Sequence, residues 1–354
     1  MKPAISTITG VLIAFTVSVP AGAQGIWTTT LPMRPQTQQH LDLFRDGTAY
    51  AYSAQDNIVY ASTDYGLTWT PRPSAPGPYA AVAFGTPELG YAAIFGGDFL
   101  VTRDGASTWK RAPGPLPASE GLYHALDVAD RGKVVVVGGQ HEGNGCRRDD
   151  EGTVSIWYGR NGGKKWREKK LPFFGTVRSV DMLNARTGVA IIYDRFVAQD
   201  ESTCFSSSNS VWLTRDGFKT MRKIYDCSDG EICTAVTMAS RSRIFVGTNN
   251  ADLYISIDGG ARFKRVGRFS GPYESVGEPF FWIGGLGFAT PKIGYMSTKG
   301  GGTWRTRNGG LTWTEEHSTE RVWGAGIGDL AVADPEHAIA GGPNFVIART
   351  SDGP

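Results

Sequence analysis

Several features that mark common protein classes are scarce in this chain of 354 residues. Basic and acidic residues nearly balance, at 36 against 34, so the sequence offers no strongly basic surface for nucleic acid or an anionic membrane. The apolar run at residues 8–19 is too short to cross a bilayer. We therefore expect neither a nucleic-acid partner nor a membrane span.

The first 23 residues have the composition of a secretory signal peptide. Lys2 supplies a positive end, residues 8–19 are apolar, and Ala21-Gly22-Ala23 is a small-residue cleavage site. We predict cleavage near Ala23, a mature chain of residues 24–354, and a secreted or periplasmic location. A lone N-terminal helix is the alternative interpretation.

Cysteine is also scarce, with four residues in the chain: Cys146, Cys204, Cys227 and Cys233. An even number of cysteines in an exported protein permits disulfides, and four allow three pairings. The spacing in "CSDGEIC" (227–233) matches no zinc motif, and "HEG" at His141 is not the H-E-x-x-H metal motif. We assign no metal and no cofactor.

Glycine and tryptophan, in contrast, are abundant and recur in a repeated motif. Six complete copies and one truncated copy are "STDYGLTW" at Asp64, "TRDGASTW" at Asp104, "GRNGGKKW" at Asn161, "TRDGFKTM" at Asp216, "SIDGGARF" at Asp258, "TRNGGLTW" at Asn308 and "TSDG" at Asp352. A large apolar residue lies five positions after the acid or amide of each complete copy: Trp69, Trp109, Trp166, Met221, Phe263 and Trp313. We call each copy a repeat turn.

Each residue type in the repeat turn has a local physical reason. Asp or Asn accepts hydrogen bonds from nearby backbone N–H groups and so closes a turn. Gly tolerates the positive φ of a tight hairpin, and the aromatic residue that follows buries a large apolar area. The motif therefore predicts a hairpin tip with an anchor, without any catalytic role.

Short β-type runs precede every repeat turn, giving four strands per unit. The first strands are predicted at residues 41–44, 81–84, 125–128, 179–182, 235–238, 285–288 and 330–333. Four strands recurring every 40 to 57 residues are typical of propeller blades. We predict an all-β, single seven-bladed β-propeller over residues 24–354, expected to be a monomer.

The two ends of this array complement each other. The segment "GIWTTTLP" (25–32) looks like the second half of a repeat, and Trp27 would be the aromatic residue missing after Asp352. We predict that this N-terminal strand completes the last blade beside the strand before Asp352. The closure would remove two open sheet edges.

The repeat turns, with the pattern S/T-x-D-x-G-x-T-W, resemble the Asp-box or BNR repeat over the whole mature chain. In segment style the chain is most similar to photosystem II assembly-factor-like and sialidase-like bacterial propellers. Sialidases of this architecture carry an early F/Y-R-I-P segment, for which "PMRPQ" around Arg34 is an incomplete match, and xyloglucan hydrolases of this type use two propellers. The resemblance implies the fold more than the activity.

The long connections should lie on the propeller face opposite the repeat turns, which we call the long-loop face. Loops 140–152 and 194–210 occupy equivalent places in adjacent blades, so we favour pairing Cys146 with Cys204 and Cys227 with Cys233 as structural staples. Acids on these loops (Asp149, Asp150, Glu151, Asp200 and Glu201) are taken as solvated charge, with a calcium or acid/base role as the alternative.

Aromatic residues in the same connections suggest a ligand-binding rim around the channel mouth. The candidates are Tyr123, His124, Tyr273, Phe281, Trp282 and Trp323. Packing between blades is the alternative for each of them. With no recognisable catalytic residues, we predict a non-enzymatic scaffold that binds a protein or glycan. A glycoside hydrolase on the same face is the second hypothesis, and a structural assembly factor for a membrane complex is the third.

Overall fold

The structure, a computed structural model, describes most of the chain in fourteen segments. They are residues 26–32, 39–53, 57–73, 79–94, 97–115, 121–141, 154–171, 175–198, 204–227, 230–269, 282–299, 302–318, 329–342 and 345–350. Every regular element in these segments is a β-strand. Within them no helix is long and apolar enough to span a membrane.

Blades 1 to 4 follow one another along the chain. Blade 1 contains β2 (Gln39–Leu43), β3 (Ala49–Ser53), β4 (Ile58–Ser62) and β5 (Thr70–Pro71). Blade 2 contains β6 (Tyr79–Phe84), β7 (Gly90–Ile94), β8 (Phe99–Thr102) and β9 (Lys110–Arg111). Blade 3 contains β10 (Gly121–Ala129), β11 (Val134–His141), β12 (Val154–Arg160) and β13 (Lys165–Lys170). Blade 4 contains β14 (Thr176–Met182), β15 (Gly188–Ala198), β16 (Cys204–Thr214) and β17 (Arg222–Cys227).

The remaining blades complete the ring. Blade 5 contains β18 (Cys233–Met238), β19 (Ile244–Thr248), β20 (Asp252–Ser256) and β21 (Lys264–Arg268). Blade 6 contains β22 (Ile283–Phe288), β23 (Gly294–Thr298), β24 (Gly302–Thr306) and β25 (Thr314–Ser318). Blade 7 contains β26 (Asp329–Val332), β27 (Ala338–Gly342), β28 (Phe345–Thr350) and, from the other end of the chain, β1 (Ile26–Pro32).

The sheet order confirms the predicted seven-bladed architecture and its closure. Each of the seven sheets has four antiparallel strands, and the order in blade 7 is β1-β28-β27-β26. Trp27 lies opposite Arg349, and Ile26 lies opposite Thr350. The first described strand therefore serves as the outer strand of the last blade, so β28 has a partner on both sides.

The hydrophobic core is divided among the contacts between neighbouring blades. Seven clusters of buried residues each join side chains of two adjacent blades. Because a middle strand contacts a neighbouring blade on each side, its two faces are both buried, as in β7 and β19. This explains why these strands are continuous apolar runs instead of alternating ones.

Hydrogen bonds show how the acid and hydroxyl residues of a repeat turn act together. In the first turn, Thr68 donates from its backbone N to Asp64 Oδ1 at 2.8 Å and from its hydroxyl to Oδ2 at 2.6 Å. Ser62 donates to Oδ1 at 2.7 Å and accepts from Gly66 N at 2.9 Å. Gly66 has φ of +83°, and a Cβ there would lie 2.7 Å from Ile339 Cγ2, so this position requires glycine.

The backbone bond from the residue four positions on recurs at four further turns, centred on Asp104, Asp216, Asp258 and Asn308. The hydroxyl bond recurs at Asp104 and Asp216, whereas at Asn308 the amide donates to Thr312. At Asp216, burial alone would raise the carboxyl pKa, but the bonds donated by Thr220, Thr214 and Lys219 lower the pKa to about 2. The acid therefore stays ionised and remains an acceptor.

The turn at Asn161 differs from the prediction that it repeats the others. Gly159 stands where the other turns have Ser or Thr, and the turn is closed by the backbone bond from Lys164 N to Arg160 O at 3.1 Å. Asn161, Gly162 and Gly163 all have positive φ. The amide tolerates the left-handed conformation here, since Asn is among the residues that adopt it most readily.

The aromatic residues after the repeat turns pack on the preceding blade, as the anchor prediction requires. Trp166 lies edge-on to Phe99, with ring centroids 5.4 Å apart. Trp27 of β1 makes the equivalent contact with Tyr295 of blade 6, at 6.2 Å. Trp69, Trp109 and Trp313 are likewise packed against clusters between two blades. Trp27 therefore supplies the seventh anchor, while Asp352 lies outside the described residues.

A buried ion network joins blades 6 and 7 beside this closure. Arg349 of β28 donates from Nε to Glu316 Oε2 at 2.7 Å, and Trp27 Nε1 donates to the same oxygen at 3.3 Å. Arg305 binds the other oxygen of Glu316 at 3.4 Å and binds Glu336 Oε1 at 2.9 Å. The Arg349 side chain is 0% exposed and that of Glu316 is 5% exposed, so this network is largely shielded from water.

Replacing Glu316 with Gln should therefore weaken the ring. It removes the buried negative charge beside Arg349 and leaves the half-exposed Glu336, 3.3 Å away, as the acid that still pairs with this arginine, so we expect the free energy of unfolding to fall by about 3 kcal/mol in urea titrations. Asp226→Asn is the matched control. It breaks the exposed Lys223–Asp226 pair and should cost less than about 1 kcal/mol. Equal losses in the two variants would contradict a special role for the buried network.

Candidate binding site at the channel mouth

The predicted rim residues do not all occupy the same kind of environment. Tyr123 is 1% exposed and packs edge-on against Trp157, with centroids 5.8 Å apart, so its ring belongs to the interior between blades. His124, the next residue, is exposed. Tyr273, Phe281 and Trp323 lie outside the described residues. The structure thus brings His124 to the channel, separates Tyr123 from it, and leaves these three aromatic residues as predictions.

A β-bulge explains the different directions of Tyr123 and His124. The register of β10 against β11 shifts between Tyr123 and Ala125, so His124 is the extra residue. A bulge re-aims a side chain and often lies next to a functional site. The shift recurs at the same place in the innermost strands of five consecutive blades, where the extra residues are Ala80, His124, Arg178, Thr234 and Gly284.

Only two of the five bulges, in blades 3 and 4, carry side chains that can hold a positive charge. Arg178 of blade 4 is exposed, as is His124 of blade 3. His40 on β2 of blade 1 lies near the same opening, and Arg178 is close enough to influence both histidines. Burial lowers the pKa of His40 to about 4. Although the His124 side chain is exposed at the mouth, the surrounding protein displaces part of its water and lowers its pKa as well, and in both histidines the charge of Arg178 lowers the pKa further. At neutral pH the histidines are therefore uncharged N–H donors beside a guanidinium.

Below this opening, carboxyl groups of the inner strands connect adjacent blades. Asp42 accepts from Phe84 N of the next blade at 3.1 Å, and Asp127 accepts from Met182 N at 2.6 Å. Two more such bonds run from Met238 N to Asp181 Oδ2 at 2.9 Å and from Leu41 N to Asp329 Oδ2 at 3.0 Å. We call Asp42, Asp127, Asp181 and Asp329 the channel carboxyls.

The channel carboxyls hold their protons unusually tightly. Burial raises the pKa of Asp42 to about 8, and the nearby acids Asp329 and Asp127 raise it further against the opposing bond from Phe84. Burial likewise raises the pKa of Asp127 and of Asp329 to about 7 and raises that of Asp181. Each group belongs to the first strand of its blade, and the surrounding protein leaves its ionised form poorly solvated. Below about pH 7, Asp42, Asp127 and Asp329 are therefore mainly protonated.

Trp282, another predicted rim residue, lies just before β22 on the long-loop face and is partly exposed. The Nζ atom of Lys299 is 3.7 Å from the centroid of its indole ring, and Lys299 N donates to Trp282 O at 2.8 Å. The ammonium group therefore makes a cation–π contact, which holds this tryptophan in place at the start of the inner strand.

One of the two predicted disulfides is confirmed. Cys227 at the end of β17 is bonded to Cys233 at the start of β18, so the bridge ties blade 4 to blade 5 on the long-loop face. Asn209 reinforces this junction by donating to Cys233 O and accepting from Cys233 N, both at 2.9 Å. Cys146 lies outside the described residues, and its pairing with Cys204 stays a prediction.

The segment 194–210 differs from the expected irregular loop. Strands β15 and β16 extend through most of it, and Ala198 lies opposite Cys204 at the tip of the pair. The hairpin of blade 4 is thus longer than those of most blades, because backbone pairing continues through polar residues that pattern analysis assigns to a loop. Both acidic loop clusters lie outside the described residues.

Sequence reasoning overlooked the residues that line the channel. The first-strand runs "LDLF", "ALDV" and "SVDM" each place an acid inside an otherwise apolar strand, and this was the available signal for Asp42, Asp127 and Asp181. The position of "QQHL" (38–41) before the first inner strand places His40 on the long-loop face, whereas Arg178 carries no such signal, and the two residues come together only when the ring closes. Among the described residues, no three His, Cys, Asp or Glu side chains are arranged to hold a metal ion.

The fold places this chain in the class of seven-bladed β-propellers. No protein-family model and no curated protein matches it. Solved structures do share its fold. YCF48 bound to a D1 peptide has a TM-score of 0.61 at 15% identity, covering 92% of this chain and 96% of that one. YCF48 from Cyanidioschyzon merolae has a TM-score of 0.61 at 16% identity, covering 92% and 98%.

A third similar structure belongs to an enzyme. The GH74 xyloglucanase from Xanthomonas campestris has a TM-score of 0.60 at 14% identity, covering 93% of this chain but 53% of the xyloglucanase. At such identities the likeness establishes a shared fold and nothing about activity.

The channel carboxyls predict a specific pH dependence of stability. An acid whose pKa is higher in the folded state loses stability as pH rises, because only the unfolded state ionises. Histidines with a lowered folded pKa (His40, His124 and His317) act in the opposite direction, because their unfolded forms still bind protons near pH 6.5, and they offset part of the loss caused by the carboxyls. We expect the free energy of unfolding to fall by at least about 2 kcal/mol across this range.

Asp42→Asn should remove much of this loss, since Asn keeps the acceptor for Phe84 N without ionising. Asp46→Asn is the matched control, because Asp46 is exposed and serves only its local turn. Urea titrations of the three proteins at both pH values make the comparison. A pH profile of Asp42→Asn as steep as that of the unmodified protein would contradict the assignment.

Proposed function

We propose that this protein is an exported, non-enzymatic β-propeller scaffold that recognises a segment of another protein through its long-loop face. The observation that carries the proposal is the pair of bulges that aim His124 and Arg178 at the channel mouth. Both side chains are exposed, whereas the channel carboxyls below them are bonded between blades. A ligand arriving at the mouth would therefore meet hydrogen-bond donors for which the described part of the chain supplies no acceptor.

The comparison with YCF48 supports a protein ligand over a glycan. That propeller, similar to this one over almost its whole length, was solved with a D1 peptide bound. A glycan remains the other ligand class. The assembly role in a membrane complex would differ from this proposal only in the identity of the partner.

Membership of the Asp-box family is part of the proposal. Its support is the shared hydrogen-bond pattern of five repeat turns, in which an acid or amide accepts from a residue four positions on. Export is a second part, with residues 1–23 as a signal peptide. The Cys227–Cys233 bridge supports it, because disulfides persist in oxidising compartments. We further propose a monomer, whose closed ring leaves no blade without its fourth strand.

Trp282→Ala tests the proposed face. The immobilised mature chain would first be used to capture its partner from host envelope extract, and the purified partner would then be titrated. We expect Trp282→Ala to weaken binding about ten-fold or more, as removal of an interface tryptophan often does. The melting temperature should stay within a few degrees of the unmodified protein.

Leu311→Ala is the matched control for this experiment. Leu311 is 58% exposed and lies in a repeat turn on the opposite face. Its removal should leave affinity unchanged. Equal binding by the unmodified protein and the two variants would contradict the proposal that the long-loop face binds the partner. Unfolding of Trp282→Ala would show that Trp282 is needed for the fold.

A glycoside hydrolase is the second candidate, favoured by one observation. Asp42, Asp127 and Asp329 have raised pKa values near neutrality, as a general acid in such enzymes requires. Against it, each of these groups already accepts a backbone amide of the neighbouring blade. Their arrangement serves blade contacts without a substrate.

A panel of sialosides and β-glucans separates the two candidates. We expect no turnover by the mature chain at pH 5 to 8. Hydrolysis that Asp42→Asn or Asp127→Asn abolishes, while Asp46→Asn does not, would overturn the non-enzymatic proposal. Turnover that survives all three variants would indicate a contaminating enzyme.

A further inference from the structure

Arg178 is an exposed guanidinium without an ionic partner among the described residues. Some exposed arginines of the described residues have such a partner, whereas others, such as Arg103 in a repeat turn, have none. Arg111 binds Asp98 at 2.8 Å, and Arg265 binds Asp252 on blade 5. Arg178 instead projects from the bulge of β14 toward the channel mouth. Its charge reaches His124 of blade 3 and His40 of blade 1, on which it acts electrostatically.

The same bulge is present in five blades, but its side chain differs. Ala80 and Gly284 offer nothing to a ligand, and the Thr234 hydroxyl already donates to Ile283 O at 2.7 Å. The donors left over are on the adjacent blades 3 and 4. Of the five blades that share the bulge, blades 3 and 4 therefore place free polar side chains at the channel mouth. This difference indicates that the bulge position has a separate role in these two blades.

The charges around Arg178 favour a ligand group that carries a single negative charge. Apart from Arg178 itself and the buried Tyr79 and Tyr123, the charged or titratable groups of the described inner strands are His40 and His124 at the mouth and the four channel carboxyls below. Near pH 6.5 the histidines and most channel carboxyls are neutral, so Arg178 supplies the one full charge. A guanidinium binds a carboxylate through two parallel hydrogen bonds, and a neutral imidazole can donate one more.

We propose that Arg178, His124 and His40 form a binding site for a carboxylate of a protein segment, either an acidic side chain or a chain terminus. The proposal rests on the proposed function, which it extends by giving the chemistry of the ligand. One cation matches one carboxylate. A phosphate dianion would bring a second negative charge close to the channel carboxyls, so the site should prefer the carboxylate.

The test uses the mature chain and two short peptides, Ac-Glu-Glu-Ala-amide and its uncharged counterpart Ac-Gln-Gln-Ala-amide, titrated by calorimetry up to ~10 mM at pH 6.5. We expect the acidic peptide to bind at least about ten-fold more tightly than the neutral one. Arg178→Gln should abolish this preference, and Arg178→Lys should keep part of it, because an ammonium lacks the paired donors.

Arg103→Gln is the matched control, since Arg103 is an exposed arginine in a repeat turn on the opposite face. It should bind both peptides as the unmodified chain does. Ring C–H signals of His40 and His124 should shift when the acidic peptide binds. If Arg178 were only structural, or if the preference came from the charge of the whole surface, Arg178→Gln and Arg103→Gln would not differ and the histidine signals would not shift.

The pH dependence gives a second readout. Between pH 6.5 and 8.5 the channel carboxyls ionise below the site, so affinity for the acidic peptide should fall several-fold. The fall should be smaller in Asp42→Asn. An affinity that rises with pH would overturn the proposal.

Several other results of these titrations would also overturn the proposal. No binding of the acidic peptide, equal binding of both peptides, or an unchanged preference in Arg178→Gln overturns the carboxylate site. Tighter binding of D-glucuronate or inorganic phosphate than of the acidic peptide overturns the assignment to a protein segment. If these assays fail while Trp282→Ala still loses the captured partner, the scaffold proposal stands and only the carboxylate site is wrong.

Discussion

The pairing of β1 with β28 is the contact on which the rest of this molecule depends. It joins the two ends of the described chain in one sheet, and it places Trp27 against Tyr295 and Glu316 of the neighbouring blade. Without β1, the outer side of β28 would be an open sheet edge, and Arg349 and Glu316 would lose part of their cover from water. Closure thus protects both backbone and buried charge.

A closed ring also determines where stability comes from. Each blade buries both faces against its two neighbours, so the apolar contacts form seven separate layers around a polar channel. Within the channel, Asp42, Asp127, Asp181 and Asp329 each bind the backbone of the following blade. These bonds link the inner strands of adjacent blades in addition to the apolar contacts.

The two faces of the propeller have different structural features, and both follow from the same architecture. On one face, the repeat turns satisfy their own acids and amides and end in anchors such as Trp166. On the other face, inner strands begin with a bulge that sets one side chain per blade at the channel mouth. Because the backbone distortion is shared by five blades, changing the bulged residue changes the mouth without changing the fold. His124 and Arg178 are the polar examples.

The sequence by itself determined the number of blades and the closure by Trp27, and it favoured the Cys227–Cys233 bridge without excluding the other pairings. Each repeat turn and its anchor are formed by residues close together in the sequence. The hydroxyl, acid, glycine and aromatic residues therefore recur at fixed spacings that can be recognised in the sequence. Even so, the missing hydroxyl at Gly159 made the turn at Asn161 differ. Only the tertiary structure decided which side chains share the channel. His40 and Arg178 belong to blades far apart in the chain, and a bulge depends on pairing with the next strand, which local sequence does not record.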